Sequence, residues 1–144
     1  MKKTEVRVKK IFWMDWGTFF GTTMVCCGWK DYAEVKEFLK RKKYTQWLEA
    51  MEIKAEEFKT NHFSKWGAID EKNKKITFTI LWLKDWKHDA EHYEILAHEL
   101  LHAVQFCMPD FLDVTTEHEA VAYQHSYLFN RAAKELNEML KIKS

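Results

Sequence analysis

The chain is 144 residues long with a formal net charge of +1, 23 Lys+Arg against 22 Asp+Glu, so summed charge makes no case for nucleic acid or an anionic membrane as partner. Length and a 47% hydrophobic content fit a single domain over residues 1–144, and no run approaches the roughly 18–20 apolar residues needed to span a bilayer. Seven Trp, ten Phe and five Tyr against four Gly and one Pro predict long regular elements around a bulky core.

The opening Met1-Lys2-Lys3-Thr4-Glu5-Val6-Arg7 alternates charge with valine and leads into no apolar run, so we read a soluble protein that keeps its N-terminus. Val6 to Met14 is β-branched and aromatic but changes phase, predicting a strand with a bulge near Lys9-Lys10. Asp15 to Gly17 reads as a turn, and Thr18 to Trp29 as a second strand closing a hairpin at Gly28. Cys26, Cys27 and Cys107 are too few and wrongly spaced for a disulfide framework, so we expect reduced thiols and an intracellular, cytoplasmic protein.

From Asp31 to about Phe58 the apolar spacing turns helical, and the basic run Lys40-Arg41-Lys42-Lys43 reads as a solvated face or a break between two helices. Trp66 to Ile69, a polar turn, then Ile76 to Leu83 form strand, turn, strand. The second strand alternates Ile76, Phe78, Ile80 and Trp82 with Thr77 and Thr79, the period of a half-buried strand. Asp89 is a candidate N-cap for a helix to about Cys107, which Met108-Pro109-Asp110 ends. A last helix runs from Thr115 or Thr116 to about Ile142. This order predicts an α+β fold with a small, mainly antiparallel sheet packed against helices.

Inside the helix after the last strand lies His98-Glu99-Leu100-Leu101-His102, an HExxH sequence. Its two imidazoles share a helix face and can reach one metal ion, while Glu99, turned about 100° away, can take a proton from a water held there. Given the composition, chance would produce the motif only about 0.03 times, and Ile95, Leu96, Leu100 and Val104 can hold one side of this helix against a core. A metzincin would continue with Gly and His three and six residues after His102; Gln105 and Met108 stand there, which excludes that subclass.

A zinc site needs a third protein ligand. Glu119, in the last helix, is the first candidate, ahead of Glu117, His118 and His125, and Ala120 and Ala122 allow close helix approach. Thr116-x-x-Glu119 is also a capping box, which would tie Glu119 to backbone unless Thr115 is the cap and His118 takes that position. Tyr123, one turn on, could orient Glu119 or donate to a developing oxyanion, but reads first as a core tyrosine; Tyr127 and His125 are lesser candidates. His88 and His92 share the i, i+4 spacing but read as capping or solvent-facing, and His62 as a loop residue.

From Ile76 to Tyr127 the chain resembles the zincin metallopeptidases, and within them small gluzincin-type members found on phages and mobile elements. The resemblance rests on an alternating strand, the helix with His98-Glu99-Leu100-Leu101-His102, and a following helix with Glu119-Ala120-Val121-Ala122-Tyr123. It implies Zn²⁺ on His98, His102 and Glu119, Glu99 as general base, a protein or peptide substrate, and the strand Ile76 to Leu83 lying along the cleft and pairing with it. Two other readings stay open: a zinc-stabilised protein-binding module without proteolytic activity, and a metal-free structural protein whose aromatics are all core.

Overall fold

The computed structural model describes residues 10–16, 21–29, 32–41, 54–71, 74–108 and 117–141. Strands β1 (Lys10–Asp15) and β2 (Gly21–Cys27) form the expected antiparallel hairpin, with Phe12 opposite Val25; the bulge expected near Lys9-Lys10 and the far end of the turn lie outside the described residues. Trp16, 1% exposed, follows β1 and is held by its indole N–H donating to Thr23 Oγ1 at 2.8 Å. Gly28 closes β2 with φ 82°, a left-handed conformation that a Cβ would oppose.

The second hairpin is β3 (His62–Glu71) with β4 (Lys74–Leu83). The sheet order is β1-β2-β4-β3. Both hairpins are antiparallel, but β2 and β4 meet in parallel, positions 21–27 against 77–83. The sheet is antiparallel in two of its three pairings, as expected, and mixed through the third, since the chain between the hairpins crosses over before β4 is laid down.

Alternation along β4 separates two cores, one on each face of the sheet. Phe78, Ile80 and Trp82 pack with Met24, Cys26, Val35, Leu39 and Phe58. Leu81 and Leu83 pack with Met14, Val25 and Cys27 beneath the two long helices. The period of two in β4 is real, yet the strand is not half-buried: Thr77 and Thr79 are 1% and 0% exposed. A central strand is covered on both faces, so its alternation separates two cores instead of core from water. The adjacent Cys26 and Cys27 are buried thiols facing opposite cores, and burial, with Cys27 beside it, pushes the Cys26 thiol far above its ordinary pKa.

Helix α1 (Tyr32–Arg41) and a 3₁₀ turn (Ala55–Lys59) cover one face. They account for two parts of the helical pattern read from Asp31 to Phe58; residues 42–53, with the second half of the basic run, lie outside the described residues. Helices α2 (Ala90–Cys107) and α3 (His118–Lys141) cover the other face. They run antiparallel: His125 bonds Ala97, Phe129 packs on Tyr93, and Asn137 bonds Tyr93 and Trp86. The described residues thus form an α+β fold of one four-stranded sheet and three α-helices, and no described helix is long and apolar enough to cross a membrane.

Candidate metal centre

The start of α2 is fixed by Asp89, whose carboxylate accepts the His92 backbone N–H at 2.9 Å as predicted of an N-cap. Its inner side is fixed by Leu96, Leu100, Ala103 and Val104, all 0% exposed. With those set, the helical period turns His98 to the surface and leaves His102 half-buried, while Glu99 points inward at 4% exposure. Nε2 of His98 and Nε2 of His102 converge to 3.1 Å, with ring centroids 4.6 Å apart. Two nitrogens at this separation share one proton or offer two lone pairs to one cation. Two nitrogen ligands on tetrahedral zinc stand about 3.3 Å apart, close to the spacing of this pair.

Glu99 is engaged from the other side. Its Oε1 lies 2.8 Å from Nδ1 of His62, the first residue of β3. A buried carboxylate without a partner is costly, and His62 supplies one. The expectation that His62 is a loop residue is overturned: β3 begins four residues before the predicted Trp66 start. Along β3 the side chains of His62, Ser64 and Trp66 share the side of α2. Phe63 turns to the other core, against Phe58 and Trp82, and Lys65 pairs with Glu57 at 2.6 Å. His62 also stands between two hollows, one of about 260 Å³ lined by Ser64, Glu99, His102 and Phe106, the other of about 410 Å³ lined by Asn61, Glu91, Glu94 and His98.

The third-ligand candidates are placed differently. Glu119 is the second residue of α3 and exposed, as are Glu117 and His118. Because α3 runs antiparallel to α2 with His125 at Ala97, its first turn falls toward the His102 end of α2. Among the described residues, however, no three His, Cys, Asp or Glu side chains are gathered so as to hold a metal ion. His125 Nε2 bonds the Ala97 carbonyl at 2.9 Å, which occupies it as a helix-to-helix tie. Thr115 and Thr116, on which the capping alternatives turned, lie outside the described residues. Tyr123 is 73% exposed, so the core-packing role read for it is overturned. Tyr127, 42% exposed, has its hydroxyl taken by Arg131 at 3.1 Å.

In the second i, i+4 histidine pair, His88 is exposed and His92 takes part in the cap, as expected from the sequence, but both are also bonded by neighbouring side chains. His92 donates to Asp89 at 2.6 Å and Asp85 at 3.1 Å, and His88 bonds the Tyr93 hydroxyl at 2.8 Å. Burial opposes charge on His92, but the hydrogen bonds to Asp89 and Asp85 and their negative charge outweigh it and hold its pKa above the ordinary imidazole value. The Asp89 carboxyl is held below the carboxylate range, first by the backbone N–H it caps and then by the imidazole.

Comparison of the chain with protein-family models, curated proteins and solved structures finds no match.

Proposed function

We propose that the protein is a zinc-dependent metallopeptidase of zincin type, in which His98 and His102 hold the metal, an acidic residue at the start of α3, Glu119 first, completes the site, and Glu99 is the general base. The observation that carries this reading is the convergence of the two Nε2 atoms to 3.1 Å beside a buried carboxylate that is turned off the pair and oriented by a separate residue. Zinc bound there would acidify a water and polarise the scissile carbonyl. Glu99 would accept the proton of the attacking water on one carboxylate oxygen while Oε1 stays bonded to His62, then return it to the leaving amine. His62 would keep the carboxylate from rotating away from the water.

The resemblance assigned the peptide-pairing role to the strand Ile76–Leu83. In the sheet that strand, β4, is central and paired on both sides. The edge beside α2 is β3, so a substrate backbone would pair there. Elemental analysis of purified protein beside His98→Ala tests the proposal. One zinc per chain in the wild type and its loss in the variant are expected, and equal metal content in the two would remove the site. Zinc without turnover of any unfolded or peptide substrate would leave the binding-module reading instead.

A further inference from the structure

Glu99, His102 and Phe106 fall at i, i+3 and i+7 on α2 and form one stripe facing β3. His62, Ser64 and Trp66 alternate along β3 and form the stripe facing α2. His62 meets Glu99 at one end. At the other, Trp66 stacks on Phe106 with ring centroids 5.8 Å apart and planes at 28°. Phe106 also lies nearly parallel to the His102 ring, at 9° and 5.6 Å. The aromatic pair and the His62–Glu99 pair thus stand at opposite ends of the two stripes, with His102 between them.

Both rings of the pair are open to solvent, Trp66 at 42% and Phe106 at 37% exposure, whereas Phe58, Phe78, Trp82 and Trp86 are covered. A flat aromatic surface held open beside a reacting centre suits an apolar side chain, which would stack on it and displace its hydration. The hollow on the far side of His62 is lined by Asn61, Glu91, Glu94, Ile95 and His98 and contains no aromatic ring other than imidazole on which such a side chain could stack. Backbone pairing along an edge strand gives affinity with little sequence choice, and choice comes from where alternate side chains land.

We propose that Trp66 and Phe106 form a substrate subsite that selects an extended polypeptide segment carrying an aromatic or bulky apolar side chain at one fixed position, two to four residues from the bond presented to Glu99. The span follows from His62 to Trp66, four residues or about 13 Å of strand, matched by an extended chain of the same rise. The inference rests on the metallopeptidase reading for the word substrate, but the recognition itself does not need cleavage.

Two arms separate them. In the first, zinc-loaded wild type, Trp66→Ala and Phe106→Ala digest a randomised peptide library and the cut sites are sequenced. In the second, Glu99→Gln, alone and combined with either alanine change, selects from the same library by binding. Circular dichroism confirms that each variant is folded, and the two changes sit on different elements so that one misfolded variant leaves the other. The expected result is enrichment of Phe, Tyr, Trp, Leu or Met at one position. The preference for such peptides over their alanine counterparts, about tenfold, falls toward unity in each alanine variant. Selection by binding without any cleavage supports the subsite and refutes the peptidase. Cleavage with no apolar preference, or a preference that survives both substitutions, overturns the subsite and leaves the peptidase standing.

Discussion

Two histidine pairs with the same spacing stand at one helix. His88 and His92 flank its start, where Asp85, Asp89, Tyr93 and Asn137 bond their ring nitrogens. His98 and His102 lie further along, and among the described residues their Nε2 atoms meet each other, at 3.1 Å. Spacing i, i+4 puts two imidazoles on one face in both cases. What separates a structural pair from a candidate metal pair is whether neighbouring carboxylates and hydroxyls have already taken the nitrogens.

The sharpest way to break that distinction is to exchange the pairs' fates. His102→Ala should abolish stoichiometric zinc, while His88→Ala should retain it, both read by elemental analysis of folded protein. If His88→Ala loses the metal and His102→Ala keeps it, the assignment is reversed. Next in size, Glu99→Gln should keep the metal and lose hydrolysis by a factor on the order of 10²–10⁴, the usual range for a general base; retained turnover would refute the role of Glu99. His62→Ala should lower kcat by about 10–100-fold at unchanged zinc content, and His62→Asn, whose amide N–H can still reach Glu99, should recover part of it. Equal rates in wild type and both variants would show that Glu99 needs no orientation from β3.

The smallest effects belong to the structural pair. The folded-state pKa of His92 stands above its unfolded value, so its contribution is complete below the ordinary imidazole pKa of about 6.5 and fades as pH rises through the raised value. Asp89 is the reverse: its pKa is lowered, so its contribution is complete above the ordinary carboxylate range and fades as pH falls through the lowered value. The Tm deficit of His92→Asn should therefore be a few degrees in mildly acidic buffer and shrink toward alkaline pH. That of Asp89→Ala should shrink on strong acidification. A deficit independent of pH would show that packing, not charge, ties down the start of α2.

Elements whose pattern is local were legible in the sequence. Asp89 as cap, the run of α2 to Cys107, the two hairpins and the inward side of Leu96, Leu100 and Val104 all follow from spacing within one segment. What escaped is set by neighbours remote in the chain. Thr77 and Thr79 look like solvent positions until α2 and α3 cover them, and β4 looks like a cleft strand until β3 is seen to take the edge. His62 carried no signal by itself, because its role is given by Glu99, 37 residues on. The alternation of Phe63 and Lys65 against His62, Ser64 and Trp66 was available as a clue, since a strand extended back from Trp66 puts His62 on the same side as Trp66.

The parallel seam between β2 and β4 bears on the order in which this protein folds. Each hairpin, and the passage from β4 into α2, is made of contacts close in sequence, which form on the fast end of the folding timescale. The seam joins residues 21–27 to 77–83 and must close the long segment between them first, at a cost in chain entropy. Both walls of the groove are neighbours of β4 in the chain, β3 closing the end of that segment and α2 following β4. The groove can therefore take shape as a local unit before the N-terminal hairpin docks, and the docking step, which completes both cores, is where the folding barrier should lie.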